Sequence, residues 1–315
     1  MFARSIFLAL CVAGSPVLAQ DYPDRSITFV VPYPPGGTID RLARELADHL
    51  AQDWDQAVIV ENHAGGNAAV GVQNVLGAEP DGYTLLIGGG STHSVGPATD
   101  ENLTYDPIAD FTPVAYLGDT PMVLTAGPSF DAADLPAIVA LSSGGEDLTY
   151  GSVGNSTVLA GELINRATGT KLRHVNYKQF GPVLIDLVRG DVDMAISSLS
   201  IVIGNIRQDM VRPIAVTSTE RSPLLPDVPA MAETYPGFEV LIWFALFGPA
   251  DLPEDIRTRL HDETDAFLND PARKERWAQE SFNLRPRSAE EFTTFIAADV
   301  AKWQQAAEEA GLAAK

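Results

Sequence analysis

The sequence predicts an α/β protein built largely on parallel sheets, and two observations lead to that prediction. Short apolar runs rich in β-branched and aromatic residues alternate with amphipathic segments along most of the chain. Two such series, each of roughly a hundred residues, follow one another before the chain ends in helical segments. With 315 residues there is room for about two domains, so the last segment is expected to complete the first lobe.

The first series predicts strands at 26–31, 57–60 and 84–87, with helices from 38 to 50 and around 70–76. The second predicts strands at 122–125, 148–150, 194–196, 214–217 and 240–247, with helices at 135–141, 157–167 and 183–188. Helices alone follow, at 256–268, 272–280 and 290–310. We expect crossovers near 119–125 and 239–247, which makes 20–121 plus 243–315 the first lobe and 122–242 the second.

Composition and charge exclude several classes of protein. Apolar residues make up 45% of the chain, too many for a disordered polymer. The net charge of −21 disfavours nucleic acid or an anionic membrane surface as a partner, and no basic cluster offsets it. Beyond the N-terminus no run of 18 apolar residues occurs, so we expect no inserted helix.

Residues 1–19 have the pattern of a secretory signal peptide. Arg4 precedes an apolar run at 6–12, and small or aliphatic residues at 17–19 suit a signal peptidase. The chain's one cysteine, Cys11, lies in this segment, so the exported protein is expected to lack disulfides, thiolates and Cys-based metal sites. A lipoprotein anchor at Cys11 is the alternative, but Leu10 is too large for that processing. The sequence predicts a soluble protein of the periplasm.

The segment 31–40 predicts an anion site. A buried strand ends, prolines turn the chain, Gly36 and Gly37 free the backbone, and an amphipathic helix begins at Thr38. Unpaired N–H groups and the positive end of the helix dipole favour an anion there. The spacing fits neither a Walker A loop nor a dinucleotide fingerprint. Asp40 is either an ordinary partner of the dipole or a residue that orients the ligand loop.

A second strand-to-helix loop at 150–157 repeats this device with two glycines and several small polar side chains. Alone it is typical of an ordinary turn and N-cap, but paired with the first loop it could face a common cleft. The segment 88–93 is read as a loop that follows a buried strand and could add hydroxyls from Ser91 and Thr92. Lys178 is the basic residue expected near the cleft.

Enzyme signatures are absent from the sequence. It contains neither a Gly-x-Ser-x-Gly elbow nor a His-Glu-x-x-His motif, and its five histidines are scattered. A Ser91–His93 nucleophile pair is conceivable and disfavoured. Trp243, in the most apolar strand, is more typical of a core than of a cleft. We therefore predict no catalytic residues, no metal and no cofactor.

An ordered set of short motifs resembles the Bug family, the periplasmic solute receptors of tripartite tricarboxylate transporters, along nearly the whole chain beyond residue 19. The motifs lie at 22–23, 30–37, 60–62, 80–86, 105–107, 110–111, 113–114, 174–175, 177–178, 181–182, 192–193, 215–218, 225–229, 236–237, 290–292 and 310–311, together with Asp40. Some positions depart from the usual pattern: His63, the stretch 65–68, Tyr33, Gln179 and Ala245. Tyr33 and Gln179 are expected near the cleft, so they affect the ligand's identity.

This resemblance implies a type II periplasmic-binding-protein fold, with two α/β lobes joined by two hinge strands and a ligand cleft between them. It implies that the loops at 38–40 and 152–157 hold an organic carboxylate. The predicted ligand-binding residues are Tyr33, Gly36, Gly37, Thr38, Ile39, Asp40, Ser91, Thr92, Ser152, Gly154, Asn155, Ser156, Thr157, Tyr177, Lys178 and Gln179. The expected partners are that carboxylate and a membrane permease, and the receptor is expected to be a monomer. The alternatives are an exported α/β hydrolase and a ligand sensor for a signalling receptor.

Overall fold

The computed structural model describes residues 22–66 and 68–314, where strands and helices alternate as predicted. The strands are β1 (Ile27–Val31), β2 (Val58–Asn62), β3 (Thr84–Gly89), β4 (Phe111–Ala126), β5 (Thr149–Val153), β6 (Arg173–Tyr177), β7 (Met194–Ser198), β8 (Arg212–Val216), β9 (Leu241–Pro249) and β10 (Asn283–Leu284). The helices are α1 (Thr38–Trp54), α2 (Ala69–Leu76), α3 (Gly90–His93), α4 (Val95–Thr99), α5 (Leu135–Ser143), α6 (Asn155–Thr168), α7 (Phe180–Arg189), α8 (Leu199–Arg207), α9 (Glu254–Asn269), α10 (Pro271–Gln279) and α11 (Ala289–Glu309). The predicted signal peptide lies outside the described residues.

The strands join in the order β2-β1-β3-β9-β4-β7-β5-β6, and β8 and β10 also pair with β4. β1 lies parallel to β2 and β3, and β5 lies parallel to β6 and β7. β4 and β9 run antiparallel to each other and to their other neighbours. The predicted parallel sheets are present at both ends, and two long antiparallel strands join them at the centre.

Strand β4 passes through both parts of the sheet. Its 16 residues extend far beyond the short strand predicted at 122–125. Residues Phe111–Pro121 pair with β9, and Met122–Ala126 pair with β7 and β8. The first half of the sheet therefore consists of β1, β2, β3, β9, β10 and the beginning of β4, and the second half contains the end of β4 with β5, β6, β7 and β8.

Buried Thr217 joins the segments that meet where β4 changes partners. Its Oγ1 accepts a hydrogen bond from the Met122 amide (2.9 Å) and donates to the Val240 carbonyl (2.6 Å). Its own amide donates to the Met122 carbonyl (3.0 Å). Since Val240 directly precedes β9, this threonine links the two central strands at the crossing.

Helix α11 contacts the cores of both halves. Phe292, Ile296 and Val300, near its beginning and middle, lie in an apolar cluster with residues of the first half. Trp303 and Ala307, near its end, lie in the cluster that fills the second half. In the described part of the chain, no helix combines the length and the apolar character needed to cross a bilayer.

Candidate functional site

The first helix start has amides with no partner inside the helix. β1 ends at Val31, and α1 begins at Thr38 after the extended N-cap residue Gly37 (φ −75°, ψ 171°), with no side-chain cap. The first hydrogen bond back to this cap comes from the Arg41 amide, so the preceding amides of the turn are free for a ligand. Gly36 has a φ of +89°, a conformation that glycine adopts without strain.

The carboxylate of Asp40 is buried and turned towards the loop behind the helix start. It accepts hydrogen bonds from the Gly36 amide (2.9 Å), from Arg44 (2.9 and 3.2 Å) and from Asn62 (2.9 Å). The same Asn62 amide group also donates to the Tyr33 carbonyl (3.1 Å). Of the two roles considered for Asp40, this arrangement supports orientation of the loop.

These contacts also set the charge state of Asp40. Burial by itself raises the pKa of this carboxyl, but the hydrogen bonds from Arg44, Gly36 and Asn62 and the Arg44 charge outweigh it. The net result is a pKa below the ordinary value, so Asp40 is ionised at neutral pH. It is therefore a fixed anion that holds the loop by charge-assisted hydrogen bonds.

The second helix start has a similar form. β5 ends at Val153, and α6 begins at Asn155 after Gly154 (φ +78°), again with no side-chain cap. The Asn155 amide group donates to Thr99 Oγ1 on α4 (3.0 Å) and so connects the two halves. Thr157 Oγ1 donates back to the Val153 carbonyl (2.8 Å), which fixes the turn. Buried Ser152 Oγ lies 2.9 Å from His174 Nε2.

The segment 88–93 is not the loop predicted from its glycines. β3 continues through Gly89, and Gly90–His93 form the short helix α3. Thr92 Oγ1 both accepts from the Gly89 amide and donates to its carbonyl, each at 2.9 Å, which closes this turn. Thr92 is fully buried, whereas Ser91 is partly exposed and its Oγ is hydrogen-bonded to the Tyr33 hydroxyl.

His93 is placed as a core residue. Its ring stacks on Phe247 with centroids 3.7 Å apart, and its Nδ1 lies 2.8 Å from Thr92 Oγ1. Burial lowers the pKa of His93 from 6.5 to about 3. Because Ser91 pairs with Tyr33 and His93 pairs with Thr92, these two residues do not form the nucleophile–base pair that was considered.

Two cavities of about 500 and 530 Å³ adjoin and together form a cleft; five residues line both of them: Tyr33, Pro34, Ser91, Val95 and Ser156. Of the predicted ligand residues, the first cavity is lined by Tyr33, Gly37, Thr38, Ile39, Ser91 and Ser156. The second is lined by Tyr33, Ser91, Gly154, Asn155 and Ser156. The structure thus brings the two predicted loops and Ser91 together at one cleft.

The other predicted residues do not line either cavity: Gly36, Asp40, Thr92, Ser152, Thr157, Tyr177, Lys178 and Gln179. Tyr177 donates its hydroxyl to Asp186 (2.6 Å). Lys178 and Gln179 are exposed between β6 and α7. Asp40 and Thr92 support the backbone behind the cavities, and the assignment of the remaining residues to the ligand stays a prediction.

The sequence did not reveal the apolar wall of the first cavity. Met122, Leu241, Ile242, Trp243 and Trp303 belong to β4, β9 and α11 and meet only in the folded chain. Trp243 is completely buried and also part of this lining, so the same side chain belongs to the core and to the wall of the cleft. A local pattern carries no signal for such a wall, because its members come from distant segments.

A group of possible metal ligands lies apart from the cleft. Within residues 22–66 and 68–314, the side chains of His49, Asp53 and Glu263 place one ligand atom each within 4.8 Å of the others. His49 and Asp53 are on α1, Glu263 is on α9, and none of them lines either cavity. These three residues are therefore not part of the ligand cleft.

Comparison with known proteins identifies the family. The model of the TctC family, "Tripartite tricarboxylate transporter family receptor", matches residues 42–312. Protein BugT of Bordetella pertussis is 32% identical over 311 residues, which is 97% of this chain and 95% of BugT.

Solved structures of related proteins agree with this family assignment. Rpa4515 of R. palustris, determined with adipate, is 31% identical with a TM-score of 0.76 and covers 93% of this chain and 99% of its own. MatC of Rhodopseudomonas palustris, determined with bound malate, is 29% identical with a TM-score of 0.72 and covers 90% of this chain and 99% of its own. The α/β fold of a two-lobed periplasmic solute-binding protein is thereby confirmed. The chain belongs to the tripartite tricarboxylate transporter receptor family and is a solute-binding receptor.

Proposed function

We propose that this receptor binds a small organic carboxylate in the cleft and holds the carboxylate group with the free amides at the starts of α1 and α6. The observation that carries the proposal is the convergence of these two uncapped helix starts on one cleft. The adipate and malate in the related structures support this class of ligand.

The available interactions are sufficient for useful affinity. A hydrogen bond to a charged acceptor contributes about 1.5–3 kcal/mol, and a helix start about 0.3–1 kcal/mol, more when partly buried. Four or five such hydrogen bonds, less the cost of immobilising the ligand, reach the roughly 8 kcal/mol of micromolar binding. The site therefore needs no arginine clamp.

The proposed mechanism is closure of two lobes on the ligand. We assign 20–121 plus 243–315 to one lobe and 122–242 to the other, and the change of partners within β4 supports a boundary near Pro121. A ligand that contacts both helix starts favours the closed state, because only that state makes both sets of contacts. The closed receptor, a monomer exported to the periplasm, then delivers the ligand to the membrane permease.

A hydrolase on this scaffold is not supported by the groups at the cleft. The hydroxyl that pairs with Ser91 belongs to Tyr33, whose pKa is raised by burial. This hydroxyl stays protonated at neutral pH and is therefore a poor general base for Ser91. His93 is enclosed by aromatic rings. A sensor role on the same fold would use the same cleft, and two permease genes beside the receptor gene would favour transport.

The test is a thermal-shift measurement against mono-, di- and tricarboxylates. A ligand present at 100 times its dissociation constant stabilises the native state by about 2.7 kcal/mol and raises the midpoint accordingly. Neutral amides of the same acids serve as controls, because they retain the shape and lack the charge. The absence of a shift with every carboxylate would contradict the proposal.

A further inference from the structure

Apolar side chains form most of the wall of the first cavity. Met122 comes from β4, Leu241 and Ile242 from β9, and Val95 from α4, and Trp303 of α11 lies beside them. Among the described residues that line this cavity, none carries a charged side chain. Its volume of about 500 Å³ lies within the usual range for small-molecule sites.

The two indoles in this wall do not offer their N–H groups to a ligand. Trp243 Nε1 and Trp303 Nε1 both donate to Oδ2 of Asp299, at 2.8 and 3.1 Å. An indole has a single hydrogen-bond donor and no acceptor. Since Asp299 is buried and does not line the cavity, the rings present only carbon to the interior of the cavity.

The polar groups at the first cavity belong to the two helix starts and to the residues beside them. They are the helix-start amides and the hydroxyls of Thr38 and Ser156, with the Tyr33–Ser91 pair beside them. The second cavity adds the Asp100 carboxylate to its lining. A second anionic group of the ligand would therefore meet either an apolar wall or a like charge, and both are unfavourable.

From this distribution of groups we propose that the ligand is a monocarboxylate with an extended apolar body, aliphatic or aromatic, that fills the first cavity. This proposal rests on the proposed function and narrows the class of carboxylate that the receptor binds. The carboxylate is bound at the helix starts, and the body packs against β9, Met122 and the two indoles. A hydroxylated tricarboxylate or a short dicarboxylate lacks the apolar surface that this wall would bury.

The experiment compares ligands of one length by isothermal titration calorimetry of the exported protein. Hexanoate, adipate and 6-aminohexanoate share a six-carbon chain and end in a methyl, a carboxylate and an ammonium group, respectively. We expect hexanoate to bind most tightly. We also expect the affinity to rise about fourfold per methylene from butanoate to octanoate, because burying one more methylene increases a binding constant by about that factor.

The outcomes separate this proposal from the one on which it rests. Tighter binding of adipate than of hexanoate would overturn the monocarboxylate assignment, and tighter binding of 6-aminohexanoate than of hexanoate would overturn the apolar body of the ligand. Either result would leave carboxylate binding intact. A flat chain-length series would overturn the role of the apolar wall. If benzoate, malate and citrate also fail to bind along with the whole series, carboxylate binding itself is refuted.

A matched pair of variants tests the wall directly. Ile242→Thr keeps the β-branched shape and puts a hydroxyl in the first cavity, so we expect hexanoate to bind about tenfold more weakly. Ile59→Thr makes the same change on β2, where Ile59 is exposed and lines neither cavity, and should leave binding unchanged. Equal hexanoate affinity in the two variants would contradict the proposal.

Discussion

The indole N–H of Trp243 donates to the Asp299 carboxylate at 2.8 Å, across 56 residues of chain. The same carboxylate oxygen also accepts from Ser94 (2.7 Å) and from Trp303 (3.1 Å). Its second oxygen lies 2.7 Å from the Lys302 ammonium. Asp299 therefore joins α3 and α4, β9 and α11 behind the apolar wall of the first cavity.

Replacing Asp299 by alanine should lower the free energy of unfolding by roughly 3–5 kcal/mol, because buried indole and hydroxyl donors lose their charged acceptor. Urea unfolding measures this loss, and the tryptophan emission should shift to longer wavelength as the two indoles loosen. Glu308→Ala, an exposed change on the same helix, is the control. Equal stability of the two variants would show that the network contributes little.

His93 should make stability depend on pH in a window set by its depressed pKa. Burial lowers the pKa of His93 from 6.5 to about 3, so the neutral ring stabilises the native state fully above pH 6.5. This contribution is lost as the pH falls from 6.5 towards 3, at about 1.4 kcal/mol per pH unit.

Unfolding of the wild-type protein and of His93→Gln at pH 7, 6 and 5 measures that slope. We expect the difference between the two proteins to shrink as the pH falls, since the variant has no proton to exclude. Burial also lowers the pKa of His174, and the comparison cancels its effect because both proteins retain it.

Local sequence patterns predict the elements that bury one face. In α1 the apolar positions Ile39, Leu42, Ala43, Leu46 and Leu50 are all buried, because a helix with a 3.6-residue period presents them on one side. Both loops of the cleft were also predicted from the sequence, because the positions of their glycines and the helices that follow are local features.

The parts that the sequence did not predict depend on tertiary contacts. Pro113, Gly118 and Pro121 interrupt the apolar pattern of β4, yet the strand continues through all three in its pairing with β9, which shifts register after Pro113 and before Gly118. The helix α3 forms from a glycine-rich segment because Thr92 closes its first turn. The apolar wall combines residues as distant as Met122 and Trp303, which no window of sequence contains.

Asp40 should stabilise the first loop only while it is ionised. Its pKa in the folded state is lowered by its hydrogen-bond donors despite burial, so its contribution is present above the ordinary pKa of 3.8 and is lost as the pH falls through the folded value. Asp40→Asn should therefore cost about 1–3 kcal/mol at pH 7 and less at pH 3. Asp48→Asn, exposed on the same helix, is the matched control in urea unfolding. A cost for Asp40→Asn that does not change with pH would exclude the charge as its cause.

Gly37 offers a direct test of the first helix start. Its backbone is extended at φ −75°, and a Cβ placed there meets nothing within 4 Å, so a side chain fits without strain and projects into open space. Because Gly37 lines the first cavity, we expect Gly37→Leu to bind carboxylates at least about tenfold more weakly. The variant should still fold, with a loss of about 0.5–1 kcal/mol of stability, because Gly37 is the N-cap of α1 and leucine is a poorer N-cap than glycine. Gly204→Leu on α8 has equal space around it and lines neither cavity, which makes it the control for the binding measurement. Calorimetry that gives Gly37→Leu the wild-type affinity would exclude the start of α1 as the carboxylate site, since a leucine side chain would obstruct an anion approaching those amides.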